Sequence, residues 1–365
     1  MDDRVHDHAD VLVDWSARVE SGDDVVMSVS EGAHDLAVAV AEKLGERGAN
    51  LVSTYDSAEV SRAYLRAHDA EFDDDPDHEL ALFEGSDVVL SLGGGRNTAA
   101  QADVPGEVRG AHSKAREQTR EAYMDTDWVS TVHPTRSLAQ QAGMSAEAYR
   151  EFVYDAVLRD WEALAEEMSE LKAVLDAGSE VHLRSEDTDL AMSIEGRNAV
   201  NSTASVADDS HNLPSGEVFT APCATAGEVV FDVPMTLRGT RVEDVRLVFD
   251  DGEVIDYDAA RNPEVIGELL DTDEGARRLG ELGIGMNRGI DRPTDSILFD
   301  EKMAGTVHLA LGRAYDACLP DGEAGNDSAI HADLITDVST DSTLAVDGEI
   351  VQRDGTFRWE DGFEG

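Results

Sequence analysis

Four short segments in the second half of the chain place carboxylates and imidazoles among glycines and aliphatic residues. Such surroundings are carried into a protein interior, where these side chains must be hydrogen-bonded, ion-paired or bound to a metal. His331 and Asp333 stand two apart, so a strand would present both on one face. The candidates are Glu217 in NLPSGEVFTAP, Glu281 in LGELGIGMN, Glu301, His308 and Tyr315 in ILFDEKMAGTVHLALGRAY, and His331 and Asp333 in SAIHADLI.

Each candidate has a simpler explanation when it is taken alone. His308 could be a core histidine with satisfied hydrogen bonds, and Tyr315 could serve packing. The set as a whole is harder to explain in this way, because its buried acids outnumber the cations near them. Oxygen and nitrogen donors without thiolates suit zinc, cobalt, manganese or magnesium, and we interpret Cys223 and Cys318 as buried packing residues. The constellation therefore predicts a site for divalent metal ions.

The first half of the chain alternates apolar strands with amphipathic helices. Strands are predicted at 25–30, 51–55, 87–95 and 127–134, and helices at 34–50 and 60–68. This alternation predicts a mainly parallel sheet covered on both faces. A long helical pattern at 146–178 ends at Gly178, where we place the boundary between two domains, 1–178 and 179–365. The glycine run at 93–95 fits a tight strand exit, because it lacks the spacing of nucleotide-binding fingerprints.

The second half of the chain has the pattern of a mixed domain that is rich in strands. Alternating residues around turns predict hairpins in 181–197, 228–237, 242–258 and 342–351. Short helices are predicted at 262–271 and around 304–315. The predicted fold class is therefore an α/β N-terminal domain with a mainly parallel sheet, followed by a mixed α+β C-terminal domain that holds the metal-binding candidates.

The chain of 365 residues carries 78 Asp and Glu against 29 Lys and Arg, a formal net charge of −49. Such a surface repels phosphate backbones and anionic lipids, which argues against nucleic-acid and membrane partners. The sequence shows no secretory signal, and no apolar run approaches the ~20 residues that span a bilayer. We therefore expect a soluble, cytoplasmic protein. Because the acids are spread along the chain, we interpret them as a solvated surface adapted to a halophile's salt-rich cytoplasm.

The strings NLPSGEVFTAP, LGELGIGMN, LFDEKMAGTVHLALGRAY and IHADLI resemble the signature segments of the aminopeptidase T family of thermophilic metalloproteases. Weaker similarity extends over nearly the whole chain. The resemblance implies a homodimer whose C-terminal domain holds two divalent metals and removes the N-terminal residue of peptides. It assigns the metal ligands to Glu217, Glu281, His308, His331 and Asp333, adds an acidic position at Glu301, and puts Tyr315 beside the metals.

Hydrolysis is the chemistry that such a site implies. Two metals about 3.5–4 Å apart activate a water as nucleophile and polarise the scissile carbonyl. Either Glu217 or Glu281 would bridge the ions, and the other would ligate one metal or act as general base. Tyr315 would donate a hydrogen bond to the tetrahedral oxyanion. A metal or a nearby carboxylate would hold the free amino group of the peptide, which limits cleavage to the first residue.

A ring-cleaving dioxygenase with one iron(II) ion is the main alternative, because dioxygenases acting on dihydroxypyridines resemble the same family. His308, His331 and Asp333 alone would form the triad of two histidines and one carboxylate that such iron enzymes use. Glu217 and Glu281 favour the peptidase, since a mononuclear iron site has no need of them. A non-catalytic, peptide-binding member is the third alternative, and the intact ligand set argues against it.

Lowering the salt concentration is expected to destabilise the fold. In molar salt the Debye length falls to about 3 Å, which screens the repulsion among surface carboxylates, whereas dilute buffer restores it. The free energy of unfolding, measured by titration with uncharged urea, should therefore be larger in molar than in dilute potassium chloride. Equal stability in the two buffers would contradict the adaptation to a salt-rich cytoplasm.

Overall fold

A computed structural model describes residues 2–74 and 76–364. The strands, in chain order, are β1 (Asp24–Ser30), β2 (Asn50–Asp56), β3 (Val88–Gly93), β4 (Asp127–Val132), β5 (Glu180–Arg184), β6 (Asp189–Ser193), β7 (Val200–Ser202), β8 (Asn212–Leu213), β9 (Glu217–Thr220), β10 (Ala224–Phe231), β11 (Met235–Leu237), β12 (Thr240–Asp250), β13 (Glu253–Arg261), β14 (Leu279–Gly285), β15 (Thr306–Gly312), β16 (His331–Asp337), β17 (Thr343–Val346), β18 (Glu349–Arg353) and β19 (Thr356–Phe357).

The α-helices, in chain order, are α1 (Arg4–Asp10), α2 (His34–Arg47), α3 (Ala58–Ala67), α4 (Asp77–Glu84), α5 (Gly106–Lys114), α6 (Glu117–Met124), α7 (Arg136–Gln141), α8 (Ala146–Val157), α9 (Trp161–Ala177), α10 (Pro263–Leu270) and α11 (Ile297–Asp300). A π-helical segment, Val11–Ser16, directly follows α1. Among the described residues, no helix combines the length and the apolar character that crossing a lipid bilayer requires.

The chain divides into two compact units, Met1–Arg159 with Ala204–Pro214, and Asp160–Thr203 with Ser215–Gly365. This division differs from the predicted boundary at Gly178 in two places. Helix α9 belongs to the second unit, and the segment Ala204–Pro214 returns to the first. The return has a structural reason, because β8 pairs in parallel with β4 and completes the sheet of the first unit.

The first unit is built on a five-stranded sheet in the order β2-β1-β3-β4-β8, with every pair parallel. The central strands β1 and β3 are almost continuously apolar and buried, as expected for a sheet covered on both faces. Helix α2 ends at Gly48, whose φ of 76° only glycine adopts easily. The predicted parallel sheet in the N-terminal region is confirmed.

The single long helix predicted at 146–178 is wrong, because the structure forms two helices there, α8 and α9. The chain leaves the helical conformation at Leu158, with ψ near 56°. Asp160 then begins the second helix, and its side chain accepts a hydrogen bond from the backbone N–H of Ala163. In the sequence, an aspartate that caps the start of a helix cannot be told from an aspartate on the exposed face of a continuous helix. The pattern of apolar and charged residues therefore gives no sign of the break at Leu158.

The second unit contains two antiparallel sheets. One has the order β11-β12-β10-β6-β5-β17-β18-β19, with β13 paired to β12, and the other has the order β16-β15-β14-β9-β7. The Asp-Gly turns at 251–252 and 347–348 connect β12 to β13 and β17 to β18, as predicted. Helix α10 confirms the helix predicted at 262–271. The mixed α+β character of the C-terminal region is therefore confirmed.

The helix predicted around 304–315 is wrong, because this segment forms strand β15. All seven residues of β15 are buried, and the strand has a neighbour on each side, β14 and β16. A short apolar run of this kind has no period that separates a buried strand from a buried helix. Gly305 and Gly312, with φ of 79° and 104°, flank and end the strand.

The two cysteines differ in their surroundings. Cys318 is buried, as predicted, but Cys223 is exposed, which corrects the prediction for that residue. Cys223 directly precedes β10, where its thiol contacts the backbone carbonyl and hydroxyl of Ser193 at 3.4 and 3.3 Å. Both thiols are free.

A buried histidine links helix α1 to the parallel sheet. His8 is fully buried, and its Nε2 lies 2.8 Å from the Oγ1 of Thr131 on β4. Burial lowers the pKa of His8 from 6.5 to about 3, with a further contribution from the nearby His133. The folded protein therefore keeps this imidazole neutral. Above pH 6.5, the ordinary pKa that His8 has in the unfolded chain, the neutral imidazole places no pH-dependent cost on folding. As the pH falls from 6.5 toward 3, the unfolded chain binds a proton that the folded protein does not, and the free energy of unfolding decreases.

Replacing His8 by glutamine, which is polar but does not titrate, is expected to make the protein less sensitive to acid. Between pH 7 and pH 5, wild type should lose about 2 kcal/mol more stability than His8→Gln, because only the unfolded wild type binds an extra proton there. Urea unfolding of both proteins in molar potassium chloride measures the difference. A stability gap that stays constant over this range would show that His8 is not held neutral.

Candidate metal centre

The predicted ligands lie on adjacent strands of the second unit's five-stranded sheet. Strand β9 carries Glu217, β14 carries Glu281, β15 carries His308, and β16 carries His331 and Asp333. These strands are consecutive in the sheet, and each pair is antiparallel. The fold thus brings together five residues that span more than a hundred positions of the sequence.

Small residues lie opposite each of these ligands and make room for them. Residues paired across antiparallel strands share a face of the sheet. The pairs are His308 with Gly283, His331 with Gly312, Glu217 with Gly285, and both Glu281 and Asp333 with Ala310. A β-carbon at Gly283 would overlap the imidazole of His308. The glycines of LGELGIGMN therefore provide the space that the site occupies.

The side chains form two overlapping groups. In the first, the Nε2 of His308 lies 3.0 Å from a carboxylate oxygen of Glu281 and 3.5 Å from one of Glu217. In the second, the Nε2 of His331 lies 3.7 Å from Glu281 and 3.5 Å from Asp333. Within each group, one donor atom per residue lies within 4.8 Å of the others, and Glu281 belongs to both groups.

His331 is oriented by the protein backbone. Its Nδ1 lies 2.8 Å from the carbonyl oxygen of Arg313, which can only accept a hydrogen bond. Nδ1 therefore carries a proton, and Nε2 faces Asp333 and Glu281. A backbone carbonyl that fixes the tautomer in this way is the usual support of a metal-binding histidine.

The buried donors of this cluster fit a divalent metal. Glu217 Oε2, Glu281 Oε2 and Asp333 Oδ1 are buried carboxylate oxygens without a hydrogen-bond partner among the described residues. Leaving such an oxygen unsatisfied costs about 1–3 kcal/mol or more, so three in one cluster call for a cation that coordinates them. Carboxylate and imidazole donors are the ligands that zinc and similar ions take.

The titration of the histidines shows how strongly this cluster attracts positive charge. Burial alone would lower the pKa of His308, but the hydrogen bond to Glu281 and the charge of Glu217 raise it to about 10. Burial alone would also lower the pKa of His331, but the hydrogen bond to Asp333 and the charges of Asp333 and Glu281 raise it to about 9. The carboxylates thus hold both imidazoles as cations in the metal-free protein, and a metal must displace these protons to bind.

Comparison with known proteins decides the family. The model of the thermophilic metalloprotease (M29) family matches residues 1–357. The chain belongs to the thermophilic metalloprotease family. As a member of this family, it is a metal-dependent aminopeptidase, a hydrolase that acts on peptide bonds.

Relatives and solved structures agree with this membership. Aminopeptidase T of Thermus thermophilus is 31% identical over 89% of this chain and 90% of its own length. The structure of wild-type AmpT from Thermus thermophilus aligns with a TM-score of 0.86 and 28% identity, covering 97% of this chain and 99% of that one. A 2,5-dihydroxypyridine dioxygenase from Pseudomonas putida KT2440 aligns with a TM-score of 0.58 at 14% identity, over 98% and 97% of the two chains, and this likeness concerns the fold alone.

Glu301, the remaining predicted ligand of this metalloprotease, directly follows α11. Its buried carboxylate forms an ion pair with Lys302, and it belongs to neither of the two donor groups. Burial raises the pKa of Glu301 to about 8, although the charge of Lys302 opposes the rise. Glu301 therefore lies beside the cluster and stays a predicted ligand.

Lys302 is the residue of the site that sequence reasoning missed. Its side chain is completely buried and its ammonium lies 3.5 Å from Glu217, in addition to the ion pair with Glu301. Burial alone would lower the pKa of Lys302, but the two carboxylates hold it above its ordinary range. A signal was present in the sequence, because Lys302 is one of only four lysines in the chain and precedes the buried segment that becomes β15.

Tyr315, the predicted oxyanion donor of this metalloprotease, lies beside the cluster. Its ring centre is 4.8 Å from that of His331 and 5.9 Å from that of Phe219. About half of the side chain is exposed, so the residue contacts both the cluster and the solvent. Burial of the hydroxyl and the charges of Glu281 and Asp333 raise the pKa of Tyr315, which therefore keeps its proton at neutral pH.

Adding one methyl group at Gly283 is expected to disrupt the metal centre of this metalloprotease. In Gly283→Ala, the β-carbon overlaps the ring of His308 and must push Nε2 away from Glu281. We expect metal affinity to fall about tenfold or more. Gly45→Ala on α2, where the added carbon meets no atom within 4 Å, is the matched control and should bind metal as wild type does. Calorimetric titration with zinc measures both, and unchanged affinity in Gly283→Ala would refute the packing argument.

Proposed function

We propose that this metal-dependent aminopeptidase removes N-terminal residues from peptides with a dinuclear divalent-metal site. The observation that supports two ions is the position of Glu281, which belongs to both donor groups. Glu281 would then be the ligand common to both ions, Glu217 and His308 would hold one ion, and His331 and Asp333 would hold the other. Zinc, cobalt, manganese and magnesium all accept this set of oxygen and nitrogen donors.

The balance of buried charge supports the same number of ions. The four carboxylates of Glu217, Glu281, Glu301 and Asp333 lie around a single ammonium, that of Lys302. With all four carboxylates ionised, Glu301 included because a nearby divalent ion would lower its raised pKa, one divalent ion would leave one negative charge uncompensated, which is costly in a buried site. The positive charge of two divalent ions and the Lys302 ammonium together is one unit larger than the negative charge of the four carboxylates. This excess suits a centre that must stabilise an anionic nucleophile.

The residues of this chain divide the remaining work among them. When bound, the ions would lower the pKa of a water and polarise the scissile carbonyl. Tyr315 retains its proton and would donate a hydrogen bond from its hydroxyl to the developing oxyanion. Lys302 holds the carboxylates of Glu217 and Glu301 in place. Between Glu217 and Glu281, the shared position of Glu281 favours Glu281 as the carboxylate common to both ions and Glu217 as a ligand of one ion.

We further propose that the enzyme works as a homodimer in a salt-rich cytoplasm. The net charge of −49 supports the salt-rich setting. The edge strand β2 of the first unit exposes apolar side chains at Leu51, Val52 and Tyr55, and Val60 and Tyr64 on α3 are also exposed. Apolar residues along an open strand edge are typical of a surface that another chain covers.

Hydrolysis of leucine-p-nitroanilide in molar potassium chloride tests the function. After chelation, activity should return with a non-redox ion such as zinc. Tyr315→Phe should keep the metal content of wild type but lose about 100-fold or more in turnover, because one oxyanion donor is removed. Tyr257→Phe, a partly exposed tyrosine on β13, is the matched control and should retain activity.

Two results would contradict this account. Loss of bound metal in Tyr315→Phe would show that the tyrosine supports the metals rather than the oxyanion. Absence of peptide cleavage with any ion, combined with oxygen uptake in the presence of iron(II) and a dihydroxypyridine, would assign the protein to the dioxygenases.

A further inference from the structure

A cavity of about 220 Å³ lies in the second unit, and we call it the arginine cavity after two residues of its wall, Arg197 and Arg278. Arg197 comes from the connection between β6 and β7, and Arg278 directly precedes β14. Residues 222–225 and 324–326 and the turn residue Gly252 supply most of the remaining wall. Among the described residues that line this cavity, none is a candidate metal ligand, so it is a different feature from the metal centre.

The wall of the arginine cavity differs in charge from the rest of the chain. Asp and Glu account for 78 of the 365 residues, and Lys and Arg for only 29. Among the described residues that line the cavity, two are arginines and none is acidic. Because like charges concentrate ions of the opposite sign, this wall attracts anions, in contrast to the acidic surface around it.

Both guanidinium groups keep N–H donors beyond their ion pairs with the protein. A guanidinium has five such donors. Arg197 pairs through Nη1 with Glu323 at 3.4 Å, Arg278 pairs through Nη2 with Glu253, and neither acid lines the cavity. The Nε of Arg197 is buried and has no hydrogen-bond partner among the described residues. A buried donor of a charged group is costly to leave unsatisfied, so this nitrogen calls for an acceptor.

The wall is held in place by contacts within the protein itself. The side-chain amide of Asn326 donates to the carbonyl oxygens of Gly275 and Gly312, at 2.8 and 2.6 Å. The turn at Gly252 leaves room for the guanidinium of Arg278, since a β-carbon at Gly252 would come within 3.1 Å of its Nη1. A cavity whose wall is already ordered binds a ligand without the entropic cost of ordering it.

We propose that the arginine cavity binds a small oxyanion, the carboxylate or phosphate group of a solute, through the guanidinium groups of Arg197 and Arg278. A planar guanidinium donates two parallel hydrogen bonds to a pair of carboxylate or phosphate oxygens, an arrangement that a spherical chloride ion cannot match. The volume lies below the range of pockets for drug-sized ligands, so the ligand is a single small acid rather than a nucleotide or a peptide.

Cys223 provides a local probe of the occupancy of this cavity. Its free thiol belongs to an exposed residue of the cavity wall, whereas the free thiol of Cys318 is buried and lies outside the wall. A bound anion obstructs Cys223 and disfavours its thiolate, which is the form that reacts. The rate at which uncharged N-ethylmaleimide modifies Cys223 therefore reports whether the cavity is filled. Peptide mass spectrometry separates this reaction from that of Cys318.

Protection of Cys223 by inorganic phosphate or acetate tests the proposal, with the metal-loaded full chain in molar potassium chloride. At ten times the dissociation constant, mass action leaves about a tenth of the cavities free, so modification of Cys223 should slow about tenfold. Arg197→Gln and Arg278→Gln should each weaken the anion's affinity about tenfold or more, since each removes hydrogen bonds to a charged group. Arg261→Gln removes a β13 arginine that also pairs with a carboxylate outside the cavity, and this matched control should be protected as wild type is.

The two anions distinguish the sources of the oxyanion. Protection by phosphate alone assigns the cavity to phosphates, protection by acetate alone assigns it to carboxylic acids, and protection by both supports the shared chemistry. The proposal is wrong if neither anion slows the modification of Cys223 at any concentration up to that of the potassium chloride. It is also wrong if Cys318 slows equally, which indicates general stabilisation of the fold, or if both arginine variants keep full protection. Should Arg197→Gln fail to fold, Arg278→Gln decides alone.

Discussion

Buried negative charge is the constraint on which the second unit of this protein depends. Glu217, Glu281 and Asp333 converge on one sheet, Glu301 lies beside them after α11, and Lys302 is the fixed cation placed among the four. Carboxylates can be withdrawn from water only when cations and hydrogen bonds replace the lost hydration. In the metal-free protein, protons on the imidazoles supply part of that charge. The family's divalent metals meet the same requirement, so metal binding and the integrity of this sheet are coupled.

Space is the second requirement, and the register of the strands provides it. Each candidate ligand on the sheet faces a glycine or an alanine on the neighbouring strand, so bulky polar side chains and small residues alternate across the sheet face. Glycine destabilises a strand interior, but any other residue at Gly283 would carry a β-carbon that displaces His308. The spacing of glycines around Glu281 is therefore part of the candidate metal centre, although glycine binds no metal.

Much of the site could be predicted because acids and histidines with apolar neighbours are rare in so acidic a chain. Glu217, His308 and the pair of residues two apart on β16 were recognisable in this way. Strand β15 was not, because seven consecutive buried residues carry no period that excludes a helix. Lys302 was missed because a Glu-Lys pair in sequence resembles an exposed ion pair, and only the tertiary fold shows that the ammonium is buried. The return of 204–214 to the first unit depends on the pairing of β8 with β4, a contact between distant segments.

The number of ions held through Glu281 tests the account most directly. Metal-free protein in molar potassium chloride can be titrated with manganese(II) while electron paramagnetic resonance follows the bound ions. The account predicts saturation at two ions per chain and a spectrum of two manganese ions coupled through the shared carboxylate. Saturation at one ion per chain, with the spectrum of an isolated manganese(II), would contradict both the charge balance and the bridging role of Glu281.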